Sequence, residues 1–264
     1  MAQLGAATGQ GRLALGDREL EYRLIAGDPA KPLIVLLHEG LGCLALWRDF
    51  PQDLAAASGS AVFAYSRAGY GGSSPCALPR PLDYMEREAQ ETLPPLLRRL
   101  EAESLVLLGH SDGASIAAVN AGAAPDPRLA GLILLAPHFF TETISVSAIA
   151  ATREAYRKGD LRRRLQRYHG DNVDCAFQGW AESWLHPDFL QWDLRPFLPG
   201  IGVPTLVIQG EGDEYGTVAQ VETAAQLIPG HVSRHLLAAC GHAPQFDKRD
   251  AMLTLVTGFL DELI

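Results

Sequence analysis

Leu105–Ala117 reads LVLLGHSDGASIA, and this stretch decides the fold. Four apolar residues lead into Gly109-His110-Ser111-Asp112-Gly113, and an alanine-rich segment follows. The apolar run reads as a buried strand and the alanine-rich segment as a helix. A serine on a tight strand-to-helix turn points its hydroxyl out of the backbone, and small flanking residues let that turn close. The backbone N–H after the serine then sits at a helix N-terminus, where it can hold a developing oxyanion. Ser111 is therefore the candidate nucleophile, and the Asp112 N–H is a candidate oxyanion donor.

A serine hydroxyl is a weak nucleophile until a base takes its proton. Of the eight histidines, His242 stands out. It lies in Cys240-Gly241-His242-Ala243-Pro244, after the last expected strand and before the final helix. A loop there falls at the carboxyl edge of a parallel sheet, beside Ser111. The base in turn needs a carboxylate to hold its tautomer. The strand Thr205–Ile208 runs into Gln209-Gly210-Glu211-Gly212-Asp213-Glu214-Tyr215, where three acids compete. Asp213 is the expected acid, with Glu211 and Glu214 facing solvent. The chain order Ser…Asp…His fits a nucleophile-elbow hydrolase. A glycine-rich turn, His38-Glu39-Gly40-Leu41-Gly42, follows the apolar run Leu33–Leu37. Its Gly40 N–H is the second candidate oxyanion donor, and His38 is a candidate support for the turn. His38-Glu39 is not a metal motif, because no second histidine follows at the H-E-x-x-H spacing.

Outward from these motifs the pattern alternates. Arg12–Leu15 and Glu19–Leu24 read as a hairpin, and Ala61–Tyr65 as a further strand. Leu44–Ala57 and Leu82–Leu100 read as helices, the second interrupted at Pro94 and Pro95, since an interior proline costs about 3 kcal/mol. The helix Ala114–Ala124 precedes a strand at Leu132–Leu135. Thr205–Ile208, helix Val218–Leu227, strand Val232–Leu237 and helix Ala251–Leu263 complete the series. Such alternation implies a mainly parallel sheet covered on both faces. Residues 138–200 break the rhythm: they hold no clear strand, several helical stretches and three of the four tryptophans. They carry eight Lys/Arg against eight Asp/Glu, so the whole net charge of −9 belongs to the remainder.

Composition excludes other classes. A net charge of −9 is the wrong sign for a nucleic-acid binder. No apolar run reaches the roughly 18 residues that a membrane span needs, and no membrane partner is expected. The opening MAQLGAATGQGR lacks the basic start and apolar core of a secretory signal. Cys43, Cys76, Cys175 and Cys240 form no CxxC pair, which points away from a disulfide framework or zinc ribbon and toward a reducing, cytoplasmic setting.

Taken together, LIVLLHEGLG, FAYSRAGYGGSS, LLGHSDGAS, VIQGEGDEYG and CGHAPQF resemble the α/β-hydrolase superfamily over nearly the whole chain outside residues 138–200. The resemblance implies an α/β fold, a mostly parallel sheet flanked by helices. Residues 1–137 and 201–264 form the core domain, and 138–200 are a helical cap inserted between two strands. It implies Ser111 as nucleophile, Asp213 as acid and His242 as base, with no cofactor and no metal. Two positions depart from the family pattern: Glu39 stands where the oxyanion loop usually has glycine, and Ser66 where an aspartate often precedes Arg-x-Gly. His138 and Phe139 follow a strand end, and Trp180 and Trp184 lie in the cap; these four are the candidate substrate-binding residues. A basic run from Arg153 to Arg167 also sits in the cap, where Arg153 and Arg157 share a helix face. The expected activity is hydrolysis of a small carboxylic ester or related acyl compound through an acyl-enzyme. The alternatives are a C–C bond hydrolase or lactonase of ring-cleavage catabolism and, in a different class, a non-catalytic ligand receptor.

Overall fold

In the computed structural model, which describes residues 8–263, eight strands form one sheet in the order β1-β2-β4-β3-β5-β6-β7-β8. The first seven residues, in the stretch inspected for a leader, lie outside the described residues. β1 (Gly9–Leu15) and β2 (Arg18–Ile25) make the expected antiparallel hairpin, and β2 pairs antiparallel with β4 (Val62–Tyr65). From β4 onward every pairing is parallel, through β3 (Leu33–Leu37), β5 (Leu105–His110), β6 (Leu129–Leu135), β7 (Thr205–Gly210) and β8 (Val232–Leu237).

Strand side chains alternate between two cores with period two. Leu33, Val35 and Leu37 join Leu105, Leu107, Leu132, Leu134 and Val207 on one face. Ile34 and Leu36 join Val106, Leu108, Ile133, Leu135, Leu206 and Ile208 on the other. Each side chain so buried contributes roughly 1.5–3 kcal/mol. That is why the central strands read as unbroken apolar runs.

Two helices differ from the sequence expectation, and proline explains both. Leu44–Trp47 is a 3-10 turn that ends at Arg48 (φ 53°), and α1 restarts at Phe50–Ser58. A continuous helix would need an N–H at Pro51; restarting places that proline in the first turn, where no donor is required. The segment expected at Leu82–Leu100 is α2 (Tyr84–Arg87), a π-helical turn Glu88–Thr92, and α3 (Leu93–Leu97). The wider turn falls where Pro94 and Pro95 lack donors. α4 (Asp112–Ala123) begins directly after Ser111.

Between β6 and β7 the chain forms α5 (Thr143–Lys158), α6 (Leu161–His169) and α7 (Val173–Trp184), followed by 3-10 turns. These helices rest on the loops after β3 and β4. The neutral His169 accepts from Gly71 N–H (3.1 Å) and donates to Leu41 O (3.0 Å), and Asn172 donates to the carbonyls of Gly71 and Ser73. α8 (Val218–Leu227), α9 (Pro244–Asp247) and α10 (Arg249–Asp261) complete the fold. Among the described residues no helix is long and apolar enough to cross a membrane.

Candidate active site

Ser111 sits between β5 and α4 with φ 54° and ψ −121°. A non-glycine residue there carries strain of order 1–3 kcal/mol. The turn is held by Ser111 N–H to Leu135 O (2.9 Å) and by Ser115 N–H to Ser111 O (3.0 Å). Both motif glycines are sterically required. A Cβ on Gly109 would strike the Gly113 carbonyl, and one on Gly113 would strike Leu37 O.

Asp213 and His242 meet after β7 and β8. His242 Nδ1–H donates to Asp213 Oδ1 at 2.8 Å. The same oxygen accepts the Tyr215 N–H (2.8 Å) and the Gly216 N–H (3.3 Å), and Oδ2 accepts from Gln209 Nε2 (3.1 Å). Burial pushes the Asp213 carboxyl up, but the His242 contact and the Tyr215 N–H outweigh it and hold the group below its ordinary value. Glu211 and Glu214 are exposed.

No hydrogen bond joins Ser111 Oγ to His242 among the described residues. Their neighbours connect them instead. His110 Nε2 donates to the backbone carbonyl of His242 at 2.7 Å, and the two rings are 5.1 Å apart. The other nitrogen of His110 meets Gln245 Nε2 (3.0 Å) and lies 3.5 Å from Glu39 Oε2. Burial pushes the Glu39 carboxyl up, but its contact with His110 outweighs that and leaves it lowered. Glu39 thus links the turn after β3 to the serine turn and to α9. Catalytic hydrogen bonds are often long without substrate and tighten on binding.

The turn after β3 is held by Arg67. Its guanidinium donates to the carbonyls of His38 and Glu39, and its N–H donates to His38 Nε2 (3.1 Å). His38 Nδ1–H donates to Glu39 O (2.7 Å), so the ring is neutral and supports the turn. Burial and the Arg67 charge keep the imidazole well below its ordinary pKa. Among the described residues neither the Gly40 N–H nor the Asp112 N–H has an acceptor. Trp180, on α7, packs so tightly on Gly40 that a Cβ there would strike the indole.

The remaining candidate residues separate by burial and contact. His138 is 2 % exposed, lies 5.6 Å from the His242 ring and 5.3 Å from Trp184, and its buried Nδ1 has no partner among the described residues. Burial and the nearby His242 push its pKa down to about 3. Trp184 Nε1–H donates to Tyr84 OH (3.1 Å), which donates to Asp112 Oδ2 (2.5 Å). Phe139 is fully buried, and its N–H donates to Gln220. Arg153 pairs with Glu182 on α7 and Arg157 is exposed. Arg67, His110 and Gln245 escape sequence reading, since each acts through partners distant along the chain; Gln209 acts on the nearby Asp213 and Gly216, but no motif marks a glutamine there. The one available signal was the position of His110 inside Gly109–Gly113.

No curated protein matches the chain. Solved structures give the fold. A bacterial membrane phospholipase A described as a virulence factor superposes with a TM-score of 0.78 and 21 % identity, over 98 % of this chain and 87 % of that one. A 2-hydroxy-6-oxo-6-phenylhexa-2,4-dienoate hydrolase from Rhodococcus sp. strain RHA1 gives 0.77 and 18 %, over 96 % and 98 %. A proline iminopeptidase from Mycobacterium smegmatis gives 0.66 and 20 %, over 97 % and 98 %. Residues 34–255 match the alpha/beta hydrolase family, and with the sheet order above this makes the chain a member of that family.

Proposed function

We propose that this chain is a serine hydrolase that cleaves a small carboxylic ester through an acyl-enzyme. The observation that carries this reading is the 2.8 Å bond from His242 to a buried Asp213, beside the strained turn of Ser111. Ser111 attacks the ester carbonyl while His242 Nε2 takes its proton. Asp213 holds the imidazole in the tautomer that leaves Nε2 free to accept, and stabilises its charged form. The Gly40 and Asp112 N–H groups hold the oxyanion. His242 then protonates the leaving alcohol and activates water for deacylation.

Residues 138–200 act as the cap, with Trp180 over the oxyanion turn, His138 beside the base and Trp184 against His138; Phe139 supports this wall from the core. The partner is a small acyl compound, and the working compartment is the cytoplasm. The test is a panel of p-nitrophenyl esters with a fluorophosphonate probe. Multiple turnover and one label, both lost in Ser111→Ala, are expected. A single slow turnover with tight retention of the ligand would identify a receptor, and undiminished labelling of Ser111→Ala would remove the serine assignment.

A further inference from the structure

Two of the four thiols lie together at the boundary between α7 and the sheet domain. Cys76, in the loop after β4, and Cys175, in the first turn of α7, have their sulfurs 2.8 Å apart. Both are half-buried, whereas Cys43 and Cys240 are buried singly. Arg80 completes the cluster. A Cβ on Gly69 (φ 85°) would lie 2.6 Å from Cys76 Sγ, 2.7 Å from Arg80 Nη2 and 2.8 Å from Cys175 Sγ, so all three groups converge on the space that this glycine leaves open. Gly179, one turn along α7 from Cys175, leaves similar room for the Arg80 guanidinium stem.

The two thiols are chemically unequal. The two sulfurs share one hydrogen bond, and the Cys175 sulfur also lies 3.4 Å from the Cys76 carbonyl; the shared bond, with Arg80 beside it, brings Cys175 down to about 6 and pushes the Cys76 thiol up. Burial raises Cys43 to about 12 and Cys240 to about 11. The thiolate is the reactive form of cysteine, so Cys175, the lowered thiol of the pair, is the expected first nucleophile. A cavity of roughly 260 Å³, lined by Cys76, Arg80, Arg67 and Tyr84 among others, opens on the Cys76 side of the pair, with the Cys175 sulfur 2.8 Å behind Cys76 Sγ.

We propose that Cys76 and Cys175 are a reversible oxidation site for a small peroxide, closing a disulfide that ties α7 to the loop after β4. The Cys175 thiolate attacks one peroxide oxygen and the O–O bond breaks. Cys175 becomes a sulfenic acid, and the other oxygen leaves as hydroxide and takes up a proton to become water. The Cys76 sulfur then attacks the sulfenic sulfur, the S–O bond breaks, and water leaves with the Cys76 proton. The two sulfurs together lose two electrons, which reduce one peroxide. A dithiol reductant reverses the change. Closing from 2.8 Å to the roughly 2.05 Å of a disulfide is a small movement. α7 carries Trp180 against Gly40 and Trp184 against Tyr84, so the link fixes the helix that covers the candidate active site. Disulfides of reducing compartments are typically transient and redox-sensing.

The test treats the reduced full-length protein with hydrogen peroxide, then caps free thiols with N-ethylmaleimide. The expected product has lost about 2 Da, takes up two fewer maleimides, and yields one cross-linked peptide joining Cys76 to Cys175; dithiothreitol reverses it. With Cys76→Ser, dimedone traps a sulfenic acid on Cys175. With Cys175→Ser, labelling of Cys76 is at least about tenfold slower. The oxidised wild type melts roughly 5 °C or more above the reduced protein, and neither single variant shows the rise. Reduced melting curves of the variants establish that they fold. A link through Cys43 or Cys240, peroxide consumption with no link, dimedone labelling first at Cys76, or an unchanged melting temperature on oxidation would each overturn the proposal.

Discussion

His110 Nε2 donates to the backbone carbonyl of His242 at 2.7 Å, so the residue before Ser111 holds the loop of the proposed base. No hydrogen bond joins Ser111 Oγ to His242 among the described residues, and the His110 bond ties the backbone of His242 to the turn of Ser111. His110 is itself clamped by Gln245 and Glu39. His110→Ala should lower kcat on the order of 100-fold, the scale of a 1 Å misplacement, with KM little changed. His110→Gln carries a donor at similar reach and should recover part of the loss. Equal kcat in wild type and His110→Ala would separate this bond from catalysis.

The carboxylate loop offers a comparison within one turn. Asp213 is buried and bonded to His242, while Glu211 and Glu214 are exposed. Asp213→Asn should reduce kcat by about 10³–10⁴-fold, because an amide lets the imidazole turn its tautomer the wrong way. Glu211→Gln and Glu214→Gln should stay within about twofold, as expected for surface acids. Steady-state rates on one p-nitrophenyl ester check all three, and a severe Glu214→Gln would move the acid within the loop.

The serine turn should trade stability for position. Ser111 holds φ 54° without being glycine. Ser111→Gly should therefore raise the unfolding free energy by about 1 kcal/mol while abolishing turnover. Gly113→Ala should do the opposite to the fold, since its new Cβ meets the Leu37 carbonyl. Urea unfolding of the variants reads both; a destabilised Ser111→Gly would contradict stored strain at this turn.

Legibility followed the range of the interactions. The turn at Ser111 and the meeting of Asp213 with His242 were readable because strand ends, glycine turns and chain order are local signals. The sheet was readable because Leu33–Leu37 and Leu105–Leu108 are buried on both faces and leave no polar gap. The tie from His110 to Glu39 and Gln245 was not, because its partners lie 71 positions before and 135 after it, and no local pattern marks such pairs. Nor did spacing alone show that Cys76 and Cys175, 99 positions apart, share one site. The helix expected over Leu44–Ala57 breaks at Arg48, and only the backbone shows that it restarts with Pro51 in its first turn.

Buried neutral histidines should make the fold sensitive to mild acid. His38 and His169 each have one nitrogen donating to a carbonyl and the other accepting a backbone N–H, and burial holds both below the ordinary histidine range. His138 is pushed to about 3, chiefly by burial. A histidine depressed in the folded state gives its full stability above the unfolded value of about 6.5, and loses it as the pH falls toward the folded value, because the unfolded chain binds the proton first. At pH 5 the loss from His138 alone should be about 2 kcal/mol relative to pH 7.5. Urea unfolding at pH 7.5, 6 and 5 measures it. His138→Leu should remove about that much of the pH dependence and leave the share of His38 and His169. A wild-type unfolding free energy that stays constant between pH 7.5 and 5 would mean that these rings are not neutral in the fold.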